Sequence, residues 1–145
     1  MSYEKSMVFR RVNTDDADQL YKLLNDRGGG NRFFHPHRFN MKTLQEICRS
    51  KKDYYYVLVL NEKIIGYSML RLFGTDTPSF GCYINRRYRG DGYGTLITQW
   101  TLDEAYRMGY KEVILHVHRE NYVAIGLYQK AGFMYADEEI RMVHR

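Results

Sequence analysis

Apolar and polar positions change period several times along this chain, and each change marks an element. Residues 7–12, MVFRRV, read as a first strand. In NTDDADQLYKLLNDRGGG, Leu20, Leu23 and Leu24 recur at helical spacing. Thr14 stands where an N-cap belongs, Asp15 and Asp16 fall where the helix dipole favours acid, and Gly28 to Gly30 supply a stop. NMKTLQEICRS predicts a second, shorter helix that turns Leu44, Ile47 and Cys48 inward.

YYYVLVL (54–60) and IIGYSMLRLF (64–73) are rich in strand formers and flank the turn NEK, which predicts a hairpin. PSFGCYI (78–84) is a third strand in succession. Tyr93, Leu96, Ile97, Trp100, Ala105 and Met108 then return at helical spacing, with Gly109 suited to end that helix. EVILHV (112–117) is a strand, residues 122–131 form a helix stopped at Gly132, and FMYADEEIRMVHR is extended as two short strands. The order β-α-α-β-β-β-α-β-α-β predicts an α/β fold with a mixed central sheet of six to seven strands. Its first three central strands are antiparallel because tight turns join them.

Composition narrows the function classes. The 145 residues show no repeat, linker or low-complexity stretch, which predicts one domain over 1–145. The net charge of +5 comes from 22 basic and 17 acidic residues. It is scattered rather than blocked, so no nucleic-acid partner is expected; the cluster Arg86, Arg87 and Arg89 is the exception. No apolar run reaches the about 18 residues of a membrane span, and MSYEKSMVFRRV lacks the apolar stretch of a signal peptide. Cys48 and Cys82 stand without a CxxC, which argues against a disulfide framework or a zinc site. A cytoplasmic, reduced, metal-free protein without a membrane partner is expected. The fourteen tyrosines fit amphipathic packing.

The run RRYRGDGYGTLI (86–97) carries the most specific chemistry. Gly90, Gly92 and Gly94 alternate just before a helix, whose first N–H groups lack internal partners and carry the positive end of its dipole. Such a site accepts phosphate when no side chain blocks it, and Arg89 adds a cation. Three glycines exceed what a tight turn alone requires. A Walker loop would need Gly-Lys-Ser or Gly-Lys-Thr, but Gly94 is followed by Thr95-Leu96. A dinucleotide fingerprint needs GxGxxG, but the spacing here is GxGxG.

RGDGYG (89–94) resembles the Arg/Gln-x-x-Gly-x-Gly/Ala signature of the GNAT superfamily of acyl-CoA-dependent N-acetyltransferases. LHVHRENYVAIGLYQKAGF (115–133) is similar to that family's second signature, a strand followed by Asn-x-x-Ala-x-x-Leu-Tyr and Gly-Phe. Together they cover residues 78–134 in the right order. Two features depart from many relatives. Arg86 stands where proline is common, and Gly126 inside a helix costs about 1 kcal/mol of propensity.

The resemblance implies a GNAT fold whose two parallel strands, SFGCYI and EVILHV, splay apart to take acetyl-CoA. It places the coenzyme's pyrophosphate on the backbone of Arg89, Gly90, Asp91, Gly92, Tyr93 and Gly94, with Thr95 nearby. The pantetheine arm would lie along Tyr83 and Ile84, where an amide would polarise the thioester carbonyl. Asn121 would contact the coenzyme and cap its helix. Tyr128 would protonate the departing thiolate, a role that suits a phenol with a pKa near 10. His116 or His118 would serve as base, since both share one strand face.

The connection between the first two helices would line the acceptor pocket, with Phe34, His35 and His37 as candidate contacts. Pro36 sets His35 and His37 facing apart, which argues against a metal site there. The expected reaction is direct acetyl transfer in a ternary complex to the primary amine of a small molecule, with an amino sugar as one candidate. The alternatives are acetylation of a protein or peptide and acyl-CoA sensing without turnover. A homodimer is in keeping with the family.

Overall fold

The computed structural model describes residues 6–26, 33–136 and 141–145. The stop expected at Gly28–Gly30, the start of the helix connection and residues 137–140 of the tail lie outside them. The first strand, β1 (Met7–Arg11), pairs antiparallel with β2 (Tyr54–Leu60). β2 pairs antiparallel with β3 (Lys63–Arg71), and β3 with β4 (Ser79–Ile84). β4 runs parallel to β5 (Val113–His116). Two further strands, β6 (Met134–Tyr135) and β7 (Arg141–His144), complete a seven-stranded sheet in the order β1-β2-β3-β4-β5-β7-β6.

Both faces of the central strands are covered, which explains why β2 reads as an unbroken apolar run. Alternate residues face alternate sides. Tyr55, Val57, Tyr67, Met69 and Tyr83 pack under α1 (Ala17–Leu24) and α2 (Met41–Arg49). Tyr56, Leu70 and Phe80 pack under α3 (Tyr93–Arg107) and α4 (Tyr122–Lys130). The expected inward residues Leu20, Leu23, Leu24, Leu44, Ile47 and Cys48 are all buried. On α3, Tyr93, Ile97 and Ala105 are buried, but Leu96 is exposed. Thr98, Thr101 and Leu102 fill the interior in its place. Thr101 donates to the Ile97 carbonyl at 2.7 Å and meets Ser68 of β3 at 2.7 Å, so the buried hydroxyls have partners.

Turns follow local chemistry. Asn61 and Glu62 both take positive φ, the two-residue reversal that suits right-twisted strands. The first helical turn is capped by Asn13 rather than Thr14. Asn13 accepts from Asp15 N–H, while Asp16 reaches back to the Asn13 N–H at 2.8 Å. Asp16 is buried and also takes a two-pronged contact from Arg10 of β1, at 2.8 and 2.9 Å. Asp16→Ala leaves the Arg10 guanidinium and one amide without their partner. It is expected to cost roughly 2–4 kcal/mol in urea unfolding, and a loss below 0.5 kcal/mol would show that Arg10 finds water instead.

Candidate active site

The parallel pair β4 and β5 is joined only near its start, at Ser79 and Ile114, where the Ile114 amide donates to Pro78 at 3.0 Å. Beyond that point no strand pairing links them, and a gap opens toward their C-terminal ends. Register decides which backbone groups line it. Asn85 N–H donates to Ile65, so Asn85 and Ile65 form a hydrogen-bonded pair and Ile84–Gly66 a non-bonded one. By the same alternation Tyr83 spends its amide and carbonyl on β3, while those of Cys82 and Ile84 face the gap. Tyr83 therefore contributes its ring, and Cys82 supplies backbone where Tyr83 was expected to.

The glycine run sits at the mouth of this gap. Asn85 caps a short 3-10 turn over Arg86–Tyr88, which turns the chain from β4 toward α3. Gly90 and Gly92 then take φ of +83° and +87°, a conformation closed to most side chains, and a Cβ on either would meet open space. Gly92 starts α3 without a side-chain cap, and the first helical bond runs from the Leu96 amide to Gly92. The amides of Tyr93, Gly94 and Thr95 thus have no acceptor inside the helix.

Gly94 has a different role. Its φ is ordinary, but an added Cβ would stand 2.9 Å from Leu127 Cδ1, so it lets α4 approach α3. The Tyr93 ring is buried, so only its backbone reaches the loop, while Asp91 and Thr95 are exposed. Arg89 is pinned to the end of β4: its Nε donates to Ile84 at 3.1 Å and its guanidinium lies 5.1 Å from the Tyr83 ring.

Opposite the loop, Tyr128 projects from α4 to the floor of the gap. Its ring meets Phe80 and Phe133 edge-on at 5.9 and 5.8 Å, and its hydroxyl lies 3.7 Å from Cys82 Sγ. Burial, and then the neighbouring Cys82, raise its pKa well above the usual phenol value, so it keeps its proton. Burial likewise raises the Cys82 thiol, which excludes a standing thiolate. Thr98 of α3 completes the cluster, 3.9 Å from Cys82 Sγ and donating to Gly94 at 2.7 Å. The motifs pointed to Tyr128 but not to Cys82 or Thr98, which become visible only when β4 parity and the α3 stripe are read together. Asn121 caps α4, accepting from Ala124 N–H at 3.4 Å.

The other face of the gap belongs to the helix connection. Val113, Leu115 and Val117 pack with Tyr128, so His116 and His118 take the opposite face, as the strand alternation requires. His118 lies 4.9 Å from the Phe33 ring, and its Nδ1 accepts from Glu120 N–H at 3.2 Å. The next residue, Phe34, packs against Tyr83 of β4 at 5.5 Å. Two consecutive phenylalanines therefore bridge from the end of β5 to β4. His116 is exposed and pairs across β7 with Arg141.

His35 is exposed and His37 is half-buried, and both border the same cleft between α1 and α2. The Arg38 carbonyl can only accept, so His37 donates from Nδ1 at 2.7 Å and accepts from the Tyr67 hydroxyl at Nε2, 2.9 Å. Among the described residues no group of three or more His, Cys, Asp or Glu could hold a metal, and no helix is long and apolar enough to cross a membrane.

Burial, reinforced by the charge of Arg71, holds the His37 imidazole below its ordinary value despite the Arg38 bond. Unfolded histidine titrates near 6.5, so between the folded and unfolded values the unfolded chain binds more protons. The His37 contribution is thus complete above about pH 6.5 and declines as pH falls through that window. Thermal melts from pH 7.5 to 5 should show a decline that His37→Gln flattens; parallel curves for the two proteins would exclude His37 as its source.

The comparisons with known proteins point to one family. Residues 17–133 match the acetyltransferase (GNAT) family. The chain belongs to that family. An acetyl-CoA-dependent N-acetyltransferase is its activity class.

Several solved GNAT enzymes share the fold. PaiA N-acetyltransferase from Thermoplasma acidophilum, in complex with coenzyme A, superposes with a TM-score of 0.82 at 18% identity, covering 97% of this chain and 99% of that one. Aminoglycoside acetyltransferase AAC(6')-Ib with coenzyme A gives 0.78 at 18% identity, over 96% and 94%. A chimera of spermidine N-acetyltransferase SpeG, from Vibrio cholerae and hSSAT, gives 0.75 at 18% identity, over 95% and 94%. At these identities the likeness concerns the fold.

Proposed function

We propose that this GNAT protein acetylates the primary amine of a small molecule by direct attack in a ternary complex. The observation that carries the reading is the gap between β4 and β5, with open left-handed glycines at its mouth and a protonated tyrosine on its floor. The residues fit acetyl-CoA. Amides from Gly90 to Thr95, at an uncapped helix start beside pinned Arg89, match a pyrophosphate. When bound, acetyl-CoA supplies an acetyl group activated as a thioester.

The gap-facing amides of Cys82 and Ile84 would donate to the acetyl oxygen as it gains negative charge. Tyr128 holds a proton at its hydroxyl for the sulfur side. Asn121 caps α4 at the same end. His116 or His118, on the opposite face, takes the proton that the acceptor ammonium loses, and Phe34, His35 and His37 border the acceptor. Cys82 takes no covalent part, since its thiol is buried and neutral.

Free-thiol release from acetyl-CoA should rise when amines are supplied, with amino sugars among the first to try. Tight acetyl-CoA binding without amine-dependent release across amino sugars, amino acids, peptides and polyamines would favour a sensor over an enzyme.

A further inference from the structure

We infer that the acceptor carries an anionic group, a carboxylate or a phosphate, which Arg38 holds in the cleft beside the helix connection. This rests on the acetyltransferase reading above and adds the chemistry of the molecule acetylated.

The cleft is an open depression of about 580 Å³ between the end of α1 and the start of α2, and none of its described lining residues is acidic. It lies one aromatic layer from the gap. Phe34, which packs on Tyr83 beside the gap, also stacks 6.0 Å from Phe39 of the cleft wall. A molecule with its amine at the gap would reach Arg38 by passing along this Phe34–Phe39 layer.

The polar inventory of the walls selects the ligand. Asn25 spends both amide hydrogens on the Tyr21 and Phe39 carbonyls, at 2.9 and 2.8 Å. His37 has both ring nitrogens engaged, and the Asn40 carbonyl oxygen caps α2 at the Thr43 amide. Among the described lining residues, His35 apart, the groups left to grip a ligand are mostly donors: the Arg38 guanidinium, the Asn40 amide hydrogens and the Tyr21 hydroxyl. A polyamine or polycationic sugar would meet no carboxylate among the described lining residues.

Asp53, on the far side of the His37 cluster, is already taken by the Leu72 amide at 2.9 Å and by Arg71 at 3.8 Å. The Asp26 charge acts on Tyr83, beside the gap, which suits an amine there and an anion at Arg38.

The test is an NMR titration of the 15N-labelled full chain saturated with coenzyme A. Glucosamine 6-phosphate is compared with glucosamine, phenylalanine with phenethylamine, and spermidine serves as the polycation. The coenzyme titration reports separately on the donor site, so its failure would sink the acetyltransferase reading itself. The expected result is that at least one anion-bearing member binds about tenfold or more tightly than its partner, with shifts at residues 35–41. The phosphate and carboxylate arms tell which anion is preferred. Arg38→Glu should remove that preference while its spectrum stays folded. Equal or tighter binding of spermidine or the uncharged partners, shifts elsewhere only, no binding by any probe, or a preference that survives Arg38→Glu would each overturn the inference.

Discussion

Tyr128→Phe is expected to lower turnover by about 10²- to 10⁴-fold while leaving acetyl-CoA affinity unchanged, the range for loss of a positioned proton donor. The substitution removes one atom and keeps the ring, which Phe80 and Phe133 hold edge-on. Stability should barely change, because the hydroxyl's partner is Cys82 Sγ at 3.7 Å, a weak acceptor. The raised pKa makes Tyr128 a donor throughout the physiological range, so no limb of the pH–rate profile from pH 6 to 9 should vanish in the variant. Thiol release at saturating acetyl-CoA, set beside calorimetric affinity, separates the outcomes. Retained turnover would reduce Tyr128 to a core aromatic and place proton supply elsewhere. Loss of turnover together with loss of affinity would mean that the ring had moved.

Hydrophobic period made most of this fold legible. The inward faces of α1 and α2 follow directly from Leu20, Leu23, Leu24, Leu44, Ile47 and Cys48, because each helix buries a single stripe. α3 was harder to read, since it lies across the sheet and buries hydroxyls. Thr98 and Thr101 look polar in sequence but enter the core by donating to carbonyls of their own helix. Leu96 accordingly turns outward.

The cap falls one residue before Thr14, because the first turn is 3-10 and Asn13 makes the reciprocal bond with Asp16. At the candidate site, the two signatures mark the glycine loop and Tyr128, but a linear motif carries no strand register. That the gap is lined by Cys82 and Ile84, with Tyr83 bound to β3, depends on pairing between residues distant in sequence. The inward turn of His37 onto Tyr67 is likewise a contact across thirty positions.

Gly92→Glu is expected to weaken acetyl-CoA binding by roughly 10²- to 10³-fold, since an added carboxylate beside a bound pyrophosphate costs several kcal/mol. Its direct effect on the fold is smaller. A Cβ at Gly92 meets open space, so the penalty is that of a side chain at φ +87°, about 1–2 kcal/mol. Gly94→Ala gives the opposite balance. Its φ is permissive, but its Cβ would press on Leu127 Cδ1 at 2.9 Å, so α3–α4 packing suffers by about 1 kcal/mol while the amides at the helix start remain. Acetyl-CoA affinity by calorimetry, with urea unfolding of both variants, therefore separates two roles within one glycine run. If Gly92→Glu binds acetyl-CoA like the wild type, the left-handed glycines serve only the turn, and the donor site must lie away from the start of α3.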